Sequence, residues 1–278
     1  MYEQTVVGWD GSPHADAALE WALERALRTD KRLRLIRVVD NTALYVNELE
    51  TKRSIVHATF LLAARAAEVR LANPSLDLLT DVIRGDPGDV LNSYSSQKVL
   101  VVVGAQARDA DGFWYGSRLG SRLAALTTGA VAVIPVRDSR PRSGVVVGVG
   151  DSPADTAVVL FAAEFAHATG EELHLVRSRE DASPRSGRSG ADEVVMDIAL
   201  AAVTAAYPEL RTHCHLDGEP SNIALLHRAQ NATLVTVGTH HPGVLRRMFL
   251  GSVSHALVNN IRCATIVIAP DSTGDIRM

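Results

Sequence analysis

Val6-Val7-Gly8-Trp9-Asp10-Gly11-Ser12-Pro13 recurs 140 residues later as Val146-Val147-Gly148-Val149-Gly150-Asp151-Ser152-Pro153. Each copy runs from a short apolar segment through a glycine-bearing turn into a Ser-Pro pair. The apolar segment reads as a buried strand. Ser12 stands at an N-cap position and Pro13 in the first turn of a helix. Three further matches keep the same order. Gly85-Asp86-Pro87 pairs with Gly218-Glu219-Pro220 at offset 133. Gly104, after Val101-Val102-Val103, pairs with Gly238, after Val235-Thr236-Val237, at offset 134. Ala130–Ile134 pairs with Ala264–Ile268, also at 134. Chance matches of single glycines would not keep that order, so the chain is a tandem duplication. The expected domains are residues 1–140 and 141–278, joined through the short polar stretch Arg137-Asp138-Ser139-Arg140-Pro141-Arg142-Ser143.

Outward from the first repeat, strand and helix alternate. Thr5–Val7, Leu33–Val39, Leu76–Ile83, Val99–Val103 and Val131–Val136 read as strands. Helical spacing follows Pro13, with Trp21 on its core face. A long helix is expected over 48–73, a short one from Pro87 and another over Ser117–Thr127. Val99–Val103 is a continuous apolar run, as in a strand covered on both faces. The second half repeats the order. The predicted fold class is α/β: two tandem doubly wound domains, each a five-stranded parallel sheet flanked by helices.

The chain has 278 residues, 46% hydrophobic and 22% charged. Enough apolar side chain is present to offset the entropy of ordering, which excludes general disorder. The longest apolar runs are too short to span a bilayer, and no secretory signal is read at the N-terminus. Net charge is −4, from 28 basic and 32 acidic residues. That balance argues against nucleic acid as a partner. Two cysteines, Cys214 and Cys263, exclude a disulfide scaffold and suit the cytoplasm.

In an open parallel sheet, ligands bind beyond the carboxyl ends of the strands where the winding reverses. The glycine turns follow the first and fourth strands of each half. If those strands are neighbours, Gly8-Trp9-Asp10-Gly11-Ser12 and Gly104-Ala105-Gln106-Ala107 face one crevice. In the second half Gly238-Thr239-His240-His241 is followed, after nine residues, by Gly251-Ser252-Val253. A glycine and a small residue opening a helix present free N–H groups, which with the helix dipole favour an anion. The physical reading is a phosphate cradle. Asp10 is either a turn former or an acceptor for ribose hydroxyls or a base edge. Ser117 and Ser252 either cap helices or meet phosphate.

These turns and loops resemble those of the universal stress protein family, in its tandem-domain actinobacterial form. The resemblance covers nearly the whole chain, twice. The family motif is an Asp-Gly-Ser turn after strand one and a G-x2-G-x9-G-S loop after strand four. The resemblance implies an adenine-nucleotide alpha-hydrolase-like fold, ATP with Mg as cofactor, and sheets paired through the last strand of each domain. It also implies a non-catalytic regulator of stress or dormancy. The implied cofactor-binding set is Gly8, Asp10, Val39, Gly104, Ala107, Gly116 and Ser117 in half one. In half two it is Gly148, Asp151, Gly238, His241, Gly251, Ser252 and Val253. Each half ends in an apolar strand whose open edge would be a liability. Pairing both edges within one chain gives an internal pseudo-dimer. A homodimer of such chains and a regulatory protein partner complete the expectation.

The halves depart from the motif. Ala107 and His241 stand where it wants its second glycine. Only eight residues separate Ala107 from Gly116-Ser117, and Gly120-Ser121 is a competing register. Asp151 comes one position later than Asp10. These departures motivate an alternative, a degenerate universal stress protein that binds no nucleotide and serves as a protein-interaction scaffold. No metal site is expected. On a strand, His213 and His215 share one face and Cys214 the other, so that triplet offers two ligands at most. Phe113-Trp114-Tyr115 reads as interface packing or a pocket wall. Arg246-Arg247 and the basic stretch from Arg185 read as solvated. No P-loop, G-x-S-x-G elbow or H-E-x-x-H pair is present, so no enzyme is expected beyond slow incidental hydrolysis.

Overall fold

The structure is a computed structural model. It describes residues 2–29, 31–40, 48–105, 118–137, 139–151, 153–179, 190–239 and 251–269. The chain divides into two compact units, Met1–Val136 and Arg137–Met278.

In the first unit the order is β1 (Gln4–Gly8), α1 (Pro13–Thr29), β2 (Arg32–Val39), α2 (Glu48–Ala72), β3 (Leu78–Arg84), α3 (Pro87–Asn92), β4 (Val99–Gly104), α4 (Arg118–Leu126) and β5 (Ala130–Ile134). The strands lie in the order β3-β2-β1-β4-β5. All their pairings are parallel. The second unit repeats this with β6 (Val145–Gly148), α5 (Pro153–Thr169), β7 (Leu173–Ser178), α6 (Ala191–Ala206), β8 (Thr212–Asp217), α7 (Ser221–Ala229), β9 (Leu234–Gly238), α8 (Ser252–Asn259) and β10 (Ala264–Ile268). Its order is β8-β7-β6-β9-β10, again all parallel. Each unit is therefore a doubly wound α/β sheet, as expected.

The central strands are apolar throughout because helices cover both faces. Val6, Val7, Leu35, Val101 and Val102 are fully buried in unit one, as are Val145, Val147, Leu175 and Val235 in unit two. Trp21 is in the core, as its helical spacing predicts. Two strand ends differ from the reading of the sequence. β5 stops at Ile134 rather than Val136, because Pro135 has no N–H to continue the ladder. β3 starts at Leu78 rather than Leu76, because Leu76 donates to the Asn73 carbonyl at 3.1 Å and so belongs to the turn around Pro74.

Candidate functional site

β1 and β4 are neighbours, with Val7 opposite Val102. From them the chain winds outward in opposite directions, which makes the gap beyond their carboxyl ends the switch point. Gly8, Val39 and Gly104 close the adjacent strands β1, β2 and β4. Half-buried Val39 accepts the Gly85 N–H at 3.2 Å. Trp9 is buried and donates its indole N–H to Asp16 at 2.9 Å. Asp10 follows it with an exposed carboxylate, whose Oδ1 accepts the Ser12 N–H at 2.9 Å. Ser12 Oγ in turn accepts the Ala15 N–H at 3.2 Å, capping α1. Gly11 holds this turn at φ +85°, a value that a side chain would strain.

Unit two places Gly148 and Gly238 at the ends of adjacent β6 and β9. Gly251 is the N-cap of α8, and no side chain among the described residues caps that end. Ser252 and Val253 form its first turn. Buried Ser254 donates its hydroxyl to the Gly238 carbonyl at 3.2 Å, which pins the start of α8 beside the end of β9. Asp151, largely exposed, accepts from Arg177 Nη2 at 2.5 Å. Ala107, Gly116, Ser117 and His241 lie outside the described residues, as do Phe113-Trp114-Tyr115, Arg246-Arg247 and residues 185–189.

The glycines divide by what surrounds them. A Cβ on Gly104 would overlap the backbone carbonyl of His14, in the first turn of α1. On Gly8 it would press Leu91 at 2.7 Å, and on Gly238 it would lie 3.0 Å from Asp155 Oδ1. These three are small so that helices can close over the strand ends. Among the described residues nothing lies within 4 Å of a Cβ built on Gly251.

The universal stress protein family model matches residues 1–135 and again 142–269. The chain belongs to the universal stress protein family. A universal stress protein of Mycobacterium tuberculosis is 30% identical over 94% of this chain and 93% of its own length. One from Mycolicibacterium smegmatis is 25% identical over 95% of this chain and 96% of its own. The fold is shared with a universal stress protein from Archaeoglobus fulgidus, at TM-score 0.74 and 18% identity over 97% of both chains. Among the described residues no helix is long and apolar enough to cross a membrane. Nor is any group of three or more His, Cys, Asp or Glu among them placed to hold a metal ion.

One pair of residues in this universal stress protein escaped the reading of its sequence. Arg37 on β2 and Arg177 on β7 occupy matching places, since Gly8 pairs with Ile36 and Gly148 with Val176. Arg177 is buried and fully engaged: Nε donates to Asp192 at 2.7 Å, Nη1 to the Val149 carbonyl at 3.2 Å and Nη2 to Asp151. The Arg37 guanidinium instead lies 5.4 Å from the Trp9 ring centroid. Its Nη1, next to Gly11, is buried without a hydrogen-bond partner among the described residues. The missed signal was Leu35-Ile36-Arg37 recurring as Leu175-Val176-Arg177 at the same offset of 140.

The His213–His215 pair does share a strand face, and β7 adds a third ring. His174 stacks on His213 at 5.0 Å between centroids, and its Nδ1 lies 3.1 Å from His215 Nε2. Burial, then the charge of His213, holds the His174 imidazole below its ordinary value; Glu172 opposes this and Arg228 adds to it. Burial, then Arg228, does the same to His215, against Asp217. The unfolded chain therefore takes up these protons first, near pH ~6.5. Stability is present above that pH and is lost as pH falls through the lower native values. The urea midpoint should drop between pH 7.5 and 5.5, and His174→Gln with His215→Gln should flatten that drop.

Proposed function

We propose that this universal stress protein is a nucleotide-dependent, non-catalytic regulator that binds ATP, with Mg as its companion ion, in at least one of its two crevices. The observation that carries the reading is the start of α8, pinned beside β9, where among the described residues no side chain caps the helix and nothing lies within 4 Å of a Cβ on Gly251. Its first-turn N–H groups and dipole suit phosphate oxygens. At the matching crevice of unit one, exposed Asp10 offers an acceptor for ribose or base, and Arg37 Nη1 offers a buried donor with no hydrogen-bond partner among the described residues. Nucleotide would bias the protein between states by its differential affinity for them. The reading places the protein in the cytoplasm, as a homodimer that serves a regulatory protein partner.

Calorimetric titration of the full chain with ATP tests this. Gly251→Asp keeps a good N-cap and so preserves the melting temperature, but it puts a carboxylate where phosphate would sit. Asp10→Ala removes the acceptor in unit one. At least one of the two should weaken ATP binding tenfold or more. Unchanged affinity in both would sink the assignment of these turns. One observation favours the alternative, a scaffold without nucleotide: the Asp151 carboxylate is already engaged by Arg177. That reading requires no heat of ATP binding and no thermal shift at millimolar ATP.

A further inference from the structure

The two units differ at one contact between strands. On β2 and β3, Leu33 pairs with Leu78, and on β7 and β8, Leu173 pairs with Thr212. In that shared register Arg34 and Asp81 of unit one match His174 and His215 of unit two. Arg34 donates to Asp81 and closes an ion pair across the strands. The neighbouring contact is an ion pair in both units. Arg32 meets Asp77 at 2.6 Å in unit one, and Glu172 meets Arg211 at 3.3 Å in unit two. There the charges merely change places. At the inner contact of unit two both members are imidazoles instead, with His174 Nδ1 3.1 Å from His215 Nε2. Two facing ring nitrogens share only one hydrogen, a weaker link than a charged hydrogen bond. Structural cohesion alone therefore does not account for this pair.

Its geometry suits coordination. At metal–nitrogen distances of about 2.0–2.1 Å, adjacent ligand atoms stand ~2.8 Å apart around a square-planar ion and ~3.3 Å apart around a tetrahedral one. The 3.1 Å between Nδ1 and Nε2 lies between these values. Burial favours the neutral form of both rings, which keeps their lone pairs for a metal. A third imidazole is close: His213 shares the β8 face with His215, and its ring centroid is 5.0 Å from that of His174. Glu172 Oε2 lies 3.1 Å from His213 Nε2. Metal-bound imidazoles commonly carry such an outer carboxylate, and it leaves Nδ1 of His213 as the ligand atom. Among the described residues no three groups converge as they stand, so half-exposed His213 must turn toward the other two. The positive charge facing both rings, Arg228, is held by Asp217 at 3.2 Å. His174 also lines a cavity of about 500 Å³ with Asp217, Glu219 and Arg228, which gives an ion its way in. We propose that β7 and β8 hold a divalent late transition-metal ion of the Zn2+ and Cu2+ class. His174 Nδ1 and His215 Nε2 are its fixed ligands, His213 closes on it, and water completes the shell. The site lies wholly within unit two and is independent of nucleotide.

Calorimetric titration of the full chain with Zn2+ at pH 7.5, without nucleotide, tests this. One Zn2+ per chain should bind with a micromolar dissociation constant, and Mg2+, which prefers oxygen ligands, should not compete. His174→Gln and His215→Gln should each weaken binding by about tenfold or more, and His213→Gln by less. His174→Arg with His215→Asp installs the ion pair of unit one. That variant should keep the wild-type melting temperature in EDTA and lose the heat of Zn2+ binding. His227→Gln removes an imidazole that lines the same cavity but bonds to Glu219, and should leave binding unchanged. With Cu2+ as the probe, electron paramagnetic resonance of the wild type should show coupling to at least two imidazole nitrogens. No heat of Zn2+ binding in the wild type overturns the proposal. Binding that persists in the Arg–Asp variant also overturns it. So does binding lost in His227→Gln, or in His240→Gln with His241→Gln, because the ion would then sit elsewhere.

Discussion

Arg177→Met should destabilise the protein by about 3–5 kcal/mol, because it leaves the Asp192 carboxylate buried without its partner. The side chains of Arg177 and Asp192 are only 8% and 10% exposed. Asp151, the other carboxylate on Arg177, is 77% exposed. Asp151→Asn should therefore cost less than about 1 kcal/mol. The double variant Arg177→Met with Asp192→Leu should recover most of the loss, since no buried charge then remains. Urea unfolding of the three variants measures this. At the matching place in unit one no carboxylate among the described residues is bonded to Arg37, whose contact is the face of Trp9. Arg37→Met should cost only about 1 kcal/mol, the loss of a cation–π contact. Equal losses at Arg37 and Arg177 would contradict the contrast drawn between the two units.

Gly104→Ala should cost about 3 kcal/mol, at the upper end of overpacking penalties. The new methyl would overlap the His14 backbone, and backbone cannot rotate away as a side chain can. Relief requires moving the first turn of α1, which packs on β4 and β1 and is capped by Ser12. Gly238→Ala should cost less, because it meets the ends of the Asp155 and Val158 side chains at 3.0 and 3.3 Å. Gly251→Ala should fall within about 0.5 kcal/mol, like most surface changes, since nothing among the described residues lies within 4 Å of the new methyl. Midpoints that do not follow the order Gly104, Gly238, Gly251 would contradict this division of the glycines.

The fold was legible because two independent patterns agreed. The repeat of Val6–Pro13 at Val146–Pro153 gave the duplication, and apolar runs such as Val99–Val103 gave the buried strands. Strand ends at Pro74 and Pro135 were read less well, because a proline acts on hydrogen bonds that alternating hydrophobicity does not record. The site was legible in outline. Gly8 and Gly104 do close neighbouring strands at a switch point. A sequence does not say which way a glycine hydrogen faces, however, so Gly104 and Gly251 looked alike. One is closed off by His14, while a Cβ on the other meets nothing within 4 Å among the described residues. Arg37 and Arg177 were passed over because an arginine near a strand end reads as solvated. Burial at the switch point, against Trp9 in one unit and Asp192 in the other, becomes visible only when β2 and β7 lie beside β1 and β6.

The most direct measurement of the nucleotide reading is mass spectrometry of the denatured extract, quantified per chain after purification without added nucleotide and repeated after incubation with millimolar ATP and desalting. One or two adenine nucleotides per chain, reduced in Gly251→Asp or Asp10→Ala, is the expected result. No nucleotide in either preparation, together with no thermal shift at millimolar ATP, would contradict it and leave the protein a scaffold built on a nucleotide-binding fold.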